Sequence, residues 1–121
     1  MDAKWNAAFD VMRNKVKEVD ANGAMVIAQK HVDGQVEMQI QACGNPYTAD
    51  ANLASIAVTK VMEMIRTGQP SGTETPLAGE FKGYMGGTCA ENYFVAFSGA
   101  LGPVDLEIAE IGLRVLLAES L

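Results

Sequence analysis

Two glycine-containing segments, a lysine and an aspartate carry the residue types from which a small-molecule site could be built. In Gly86-Gly87-Thr88, adjacent glycines expose backbone N–H groups to a ligand, and the threonine adds a hydroxyl. Ser98-Gly99-Ala100 offers a second hydroxyl and leads into a helix that begins near Asp105. Lys60 stands in a largely apolar helix, where its ammonium could pair with a ligand carboxylate. The sequence therefore predicts one ligand-binding set: Lys60, Gly86, Gly87, Thr88, Ser98, Gly99 and Asp105.

Each of these residues also has an ordinary structural interpretation. Gly86-Gly87 can be a turn that needs positive φ, and Asp105 can cap the last helix. Lys60 can extend along apolar surface until its ammonium reaches water. Amides at the helix start could hold an anion, but Asp105 and Glu107 would oppose it, so an uncharged or cationic group fits better. A phosphate-binding loop is not indicated, because no Gly-x-x-x-x-Gly-Lys-Thr pattern occurs.

Residues for catalysis are few. Ser98 lacks a convincing base, since His31 is the only histidine and belongs to another element. Asp105, Glu107 and Glu110 could bind a divalent metal together with Glu91, although a solvated acidic helix start is the commoner reason for such a cluster. We therefore predict no catalytic residues and no metal site, and we favour a protein that is not an enzyme.

Bulk properties exclude several classes of function. The chain has 121 residues, which fits one domain spanning residues 1–121, and 49% of them are hydrophobic. The net charge is −6 and the nine basic residues form no cluster, which argues against nucleic acid and anionic membranes as partners. No apolar stretch approaches a membrane span, and the N-terminus does not resemble a secretory signal. We therefore expect a cytoplasmic protein.

Hydrophobic periodicity in the first half predicts a helix followed by a hairpin. Residues 3–21 have an apolar stripe at three- and four-residue steps, and Asn22-Gly23 is expected to end the helix. Residues 24–32 read as a strand. Asp33-Gly34 supplies a tight turn in which both positions need positive φ. Residues 35–43 alternate between apolar and polar side chains, as in a half-solvated antiparallel strand.

The second half predicts a helix, a loop, further strands and a last helix. A helix at 50–67 could be capped by Thr48 or Asp50 and ended by Gly68. Residues 68–79 form a loop, 80–85 a short strand, Gly86-Gly87 a turn and 91–98 a stronger strand. The last helix begins at Pro103 and has an apolar stripe of Leu106, Ala109, Leu113, Leu116 and Leu117. The predicted order is α-β-β-α-(β)-β-β-α, an α+β fold with helices packed on an antiparallel sheet.

The cysteines and methionines have simple explanations. Cys43 and Cys89 form no Cys-x-x-Cys pair, so we expect two mostly buried thiols. Five methionines are predicted on apolar faces, where core packing explains them: Met12, Met25, Met38, Met62 and Met64.

The order of motifs in the second half resembles the GlcG/HbpS-type family. Gly86-Gly87-Thr88 precedes a strand that ends in Ser98-Gly99-Ala100, and Asp105 and an Ile108-Ala109 helix start follow. Ile56-Ala57-x-x-Lys60 and the turn Val32-Asp33-Gly34 are also similar to family motifs. The resemblance covers roughly residues 20–118. It implies a profilin-like α/β/α fold, homo-oligomers and a ligand-binding accessory role. Some relatives bind haem, and one such domain is fused to a cobalamin adenosyltransferase, so the candidate cofactors are haem and a cobalamin-related group.

Three functions remain open at this stage. The first is an accessory protein that binds a small ligand or cofactor, such as haem, another tetrapyrrole, or a small hydroxy acid or diol. The second is a roadblock-like module for protein–protein interaction, whose order of elements is similar. The third is a small enzyme of hydroxy-acid or diol metabolism. Partners are expected to be further copies of the chain and a small molecule. A haem would need an axial ligand, and His31 beside a turn is more simply an exposed histidine.

Overall fold

The computed structural model describes residues 3–47, 52–72 and 83–118, which form three helices and one antiparallel sheet. The sheet order is β2-β1-β4-β3. This arrangement confirms an α+β fold with helices packed on an antiparallel sheet. The elements are α1 (Ala3–Glu18), β1 (Gly23–Lys30), β2 (Val36–Cys43), α2 (Leu53–Thr67), β3 (Gly87–Ala90), β4 (Tyr93–Ser98) and α3 (Gly102–Leu117).

The two faces of the sheet carry different helices. Alternate residues of a strand point to opposite faces. Met25 and Ile27 of β1 pack with α1 and α3, whereas Ala24, Val26 and Ala28 pack with α2. The alanines let α2 lie close to the strands. The described residues thus form three layers, in which α2 is the only described helix on its side of the sheet.

The β1–β2 hairpin is confirmed, but its turn differs from the prediction. His31 N donates to Gln35 O at 2.8 Å, and Gly34 N donates to His31 O at 2.9 Å. Only Gly34 has positive φ, at 88°, so Asp33 does not adopt the left-handed conformation. Asp33 Oδ1 instead accepts from Gln35 N at 3.0 Å. The loop is therefore one residue longer than a two-residue turn, with the glycine at its end.

The end of α1 was predicted at the wrong residues. The helix ends at Glu18, and Asp20, with φ 55°, takes the left-handed position expected of Gly23. Gly23 begins β1 instead. A Cβ there would lie 1.9 Å from Ser98 O, so the glycine is required by the approach of β4.

Both ends of α2 have capping bonds. Asn52 caps the first turn by accepting from Ser55 N at 3.1 Å. The predicted caps, Thr48 and Asp50, lie outside the described residues. Gly68 ends the helix as predicted, with φ 70° and a bond from its N–H to Met64 O.

The strand boundaries near the glycine pair were predicted incorrectly. Gly86-Gly87 is not a hairpin turn, because Gly87 is the first residue of β3. The turn lies at Glu91-Asn92, where Glu91 takes the unusual φ of 55°. A positive φ at glutamate has no sequence signal. The predicted strand at 80–85 lies partly outside the described residues, and 83–85 are not a strand.

Most of the methionine predictions hold. Met12, Met25 and Met64 are fully buried, and Met38 packs partly against the α2 cluster. Met62 is 54% exposed, so its assignment to a buried face was wrong.

The contact between α1 and α3 depends on Gly112. A Cβ at this position would lie 2.4 Å from Met12 Sδ and 2.8 Å from Met12 Cγ. We expect Gly112→Val to lower the free energy of unfolding by about 1–3 kcal/mol through overpacking, measured by urea denaturation. Arg114→Val, at an exposed site of the same helix, is the matched control. Equal denaturation midpoints for the two variants would show that the helices do not constrain residue 112.

Candidate functional site

Lys60 and Asp105 form a buried ion pair where α2, β4 and α3 meet. Lys60 Nζ lies 3.1 Å from Asp105 Oδ2 and donates to Phe97 O at 2.6 Å. The side chains are only 2% and 6% exposed. Replacing a buried ion pair with apolar residues is often neutral or stabilising, so the pair is not explained by core stability alone.

The carboxylate of Asp105 also fixes the loop before α3. Its Oδ1 accepts from Ala100 N at 2.8 Å, and the Gly99 amide also bonds to it. The capping interpretation was wrong, because the N-cap of α3 is Leu101 and no described side chain caps the helix. Asp105 instead accepts from amides of the loop ahead of the helix and neutralises Lys60. The interpretation that the Lys60 ammonium reaches water was wrong, because the ammonium donates to Asp105 Oδ2 inside the protein.

Burial acts on both charges. Burial lowers the pKa of Lys60, and the attraction of Asp105 opposes that change. Burial raises the pKa of Asp105, which Lys60 and the amides of Ala100 and Gly99 oppose. Each charge thus offsets part of the cost of burying the other.

Gly86 is packed against the ion pair. Its φ is +124°, and a Cβ would lie 2.5 Å from Lys60 Nζ and 2.6 Å from Asp105 Cβ. Its carbonyl accepts from Phe97 N at 3.2 Å. We predicted that a ligand would approach the backbone closely at this glycine. In the structure the groups that approach it include the protein's own Lys60 and Asp105 side chains.

Gly87 faces a second buried polar group, the hydroxyl of Ser71. A Cβ on Gly87 would lie 2.7 Å from Ser71 Oγ and 2.7 Å from Met64 Cε. Ser71 is 1% exposed, and its Oγ has no hydrogen-bond partner among the residues that the structure describes. Its backbone is fixed, since Ser71 N donates to Gly87 O and the next amide, of Gly72, donates to Glu63 Oε2.

The structure brings together only part of the predicted set. Gly86 and Gly99 contact the ion pair that Lys60 forms with Asp105. Gly87 is next to Gly86 in the chain and packs against Ser71 and Met64. Thr88 pairs with Val95, whose side chain packs with α1 and α3, so the threonine side chain lies on the opposite face from α2. Ser98 is buried at the end of β4.

Sequence reasoning missed two features of this region. The Lys60–Asp105 pair joins residues 45 positions apart, which only the tertiary structure brings together. The sequence signal was present as one lysine in an apolar stripe. Ser71 gave no signal, because serine is common in loops.

The other candidates are held in ordinary interactions. His31 Nε2 lies 2.6 Å from Glu37 Oε1, and Glu107 forms an ion pair with Lys15 at 3.2 Å. No group of three or more His, Cys, Asp or Glu side chains suited to a metal occurs in residues 3–47, 52–72 and 83–118. The core methionines are fully buried in packing. That burial keeps the sulfur atoms of these methionines away from a haem iron.

Two cavities lie away from the ion pair. One, of about 320 Å³, lies between the tips of the two hairpins and is lined by Lys30, His31, Val32, Glu91, Asn92 and Phe94. The other, of about 270 Å³, lies between the end of α1 and the end of β2; Arg13, Lys17, Cys43 and Gly44 are among its lining residues.

Comparison of the chain with protein-family models, curated proteins and solved structures gives no match. The resemblance to the GlcG/HbpS-type family therefore depends on the quoted motifs alone. Within the described parts of the chain, none of the helices is both long enough and apolar enough to span a membrane.

Loss of one member of the ion pair should be far worse than loss of both charges. We expect Lys60→Met to lower the free energy of unfolding by about 3–5 kcal/mol at neutral pH, because Asp105 becomes a buried unpaired charge. Adding Asp105→Asn removes that charge and keeps an acceptor for Ala100 N. The double variant should therefore be more stable than Lys60→Met.

Urea denaturation of the four proteins completes a double-mutant cycle, with an expected coupling of about 0.5–3 kcal/mol. Lys17→Met, at an exposed lysine of α1, should change stability by no more than about 0.5 kcal/mol. Additive effects of the two substitutions would show that Lys60 and Asp105 do not stabilise each other.

Proposed function

We propose that the protein is a cytoplasmic, non-catalytic accessory protein that binds a small neutral molecule with hydroxyl or carbonyl oxygens, such as a diol. The site consists of Gly86-Gly87, with Lys60 on one side and Ser71 on the other. The observation that carries this proposal is the Ser71 hydroxyl, which is buried beside the glycine pair and has no hydrogen-bond partner among the described residues. An unsatisfied buried hydroxyl is costly, and a ligand oxygen would satisfy it.

Charge balance favours a neutral ligand. Lys60 and Asp105 neutralise each other, so an anion would meet the carboxylate and a cation the ammonium. An ammonium has three N–H donors, and the hydrogen bonds of Lys60 to Phe97 O and Asp105 Oδ2 use two of them. The remaining donor suits a hydroxyl or carbonyl oxygen. A short hydroxy acid fits less well, because its carboxylate would compete with Asp105 for Lys60.

A second candidate function is a module for protein–protein interaction. The outer strand β2 has apolar side chains that are partly exposed, including Val36 at 39% and Ile40 at 48%. This observation favours an interface on β2. The two proposals concern different parts of the molecule and are compatible.

The ligand proposal is tested with Ser71→Ala. We would titrate the purified protein with 1,2-propanediol, with glycolate and with hemin, and follow backbone amide shifts by NMR. The diol should shift the amides of Ser71, Gly86 and Gly87 saturably. Ser71→Ala should weaken its binding about tenfold, as expected for the loss of one hydrogen bond.

Ser55→Ala is the matched control, because Ser55 is exposed on α2. Without ligand, Ser71→Ala should be as stable as the wild type or more stable, since an unsatisfied hydroxyl is removed. Equal affinity of both variants for the diol, or saturable shifts only with hemin, would contradict the proposed site. Native mass spectrometry of the freshly purified protein then identifies any retained ligand.

A further inference from the structure

β2 is the outer strand of the described sheet, and most of its outward backbone hydrogen-bonding groups have no partner among the described residues. His31 and Gln35 form a hydrogen-bonded pair, and such pairs alternate along an antiparallel ladder. With the observed register, which pairs Lys30 with Val36 and Ala28 with Met38, the residues whose N–H and C=O groups point away from β1 are Val36, Met38, Ile40 and Ala42. The carbonyl of Ala42 accepts from Arg13 Nη1 at 2.9 Å. The residues before it form a free edge.

The side chains of the same residues form an apolar strip. Val36 and Ile40 are 39% and 48% exposed, and Met38 is half-buried. The strip lies on the α2 face, where α2 packs against β1, β4 and β3. Lysine, proline and bulges commonly protect an exposed edge, and β2 has none of them over its eight residues. Such an edge is suited to pairing with another strand.

We propose that two copies of the chain pair antiparallel through β2, with Met38 of each copy facing Met38 of the other across a two-fold axis. Val36 then faces Ile40 of the partner subunit, and Ile40 faces the partner's Val36. This register pairs all the free residues and leaves the bond between Arg13 and Ala42 intact. Each facing pair exchanges two backbone hydrogen bonds. The two sheets become one continuous eight-stranded sheet.

The side chains are compatible with this register on both faces. On the α2 face the two apolar strips join into one surface. On the other face Glu37, the only charged residue of β2, meets Gln39 of the partner subunit rather than a like charge. No like charges oppose each other along the paired strands.

The hairpin turn has a consequence in the same register. The turn that precedes Val36 of one copy comes near the end of β2 of the partner subunit. The cavity of about 270 Å³ near that end has two basic residues, Arg13 and Lys17, and one acidic residue, Asp20, in its lining. Val32 is fully exposed at the tip of the turn, and the negative charge of Asp33 is opposite in sign to the net positive charge of these three side chains. By symmetry the contact occurs twice, as in an isologous interface.

Sedimentation equilibrium of the wild-type protein tests the assembly. We expect a particle of twice the 12.9 kDa chain mass. Ile40→Lys should weaken dimerisation at least about tenfold, because its ammonium would be placed in the joined apolar strip. Asp33→Arg should weaken it by a similar factor, because it faces Arg13 and Lys17. Leu101→Lys, at an apolar residue that is 78% exposed and remote from β2, is the matched control and should leave dimerisation unchanged.

Disulfide cross-linking tests the register. Met38→Cys should form a disulfide-linked dimer on mild oxidation, because facing Cα atoms of a hydrogen-bonded pair are about 5.5 Å apart. Ile40→Cys should not, since residue 40 faces residue 36. The wild type, with its own Cys43 and Cys89, gives the background. A monomeric wild type, a dimer that survives Ile40→Lys, or cross-linking at position 40 rather than 38 would overturn the proposal.

Discussion

The ammonium of Lys60 joins three elements of the fold at one point. The Lys60 side chain extends from α2. Its ammonium donates to the carbonyl of Phe97 at the end of β4 and to the carboxylate of Asp105 at the start of α3. Burial penalises both charges, so the pair persists only while every hydrogen bond around it is made. That requirement explains why the surrounding backbone must come so close, with Gly86 against Nζ and the Gly99-Ala100 amides on the carboxylate.

The unequal covering of the sheet is the second constraint. Two helices, α1 and α3, share one face, while α2 alone covers the other. One helix is too narrow for four strands, because a helix is about 10 Å wide and strands are spaced about 4.8 Å apart. The outer strand β2 is therefore left with apolar side chains at the surface. Its alternating pattern is consistent with a strand that is covered only after association.

Because Gly86 and Gly87 have no side chains, two polar side chains can pack directly against their backbone. Gly86 makes room for the Lys60 ammonium, and Gly87 makes room for the Ser71 hydroxyl and the end of Met64. The ammonium donates to Phe97 O and Asp105 Oδ2, whereas the hydroxyl has no hydrogen-bond partner among the described residues. Gly86 therefore has a structural role, and the hydroxyl beside Gly87 is the group on which the proposed ligand site depends.

The local pattern of the sequence determined much of the fold. Periodicity placed the three helices, the first hairpin and most of the strand predicted at 91–98, which begins at Tyr93, because burial of one face imposes a repeat that is visible in the residues. Glycine at position 68 and proline at position 103 indicated helix ends by their backbone preferences alone. The sequence also selected Lys60, Gly86 and Asp105 as unusual residues.

Only the tertiary structure decided how those residues interact. The pairing of Lys60 with Asp105 depends on contacts between elements 45 residues apart, which no local pattern encodes. The turn at Glu91-Asn92 was missed because neighbouring strands impose a positive φ on a glutamate that does not prefer it. The position of the Thr88 side chain was likewise not determined by the local sequence. Its hydroxyl was assigned to the site by proximity in sequence, but the strand register turns its side chain to the opposite face of the sheet from α2.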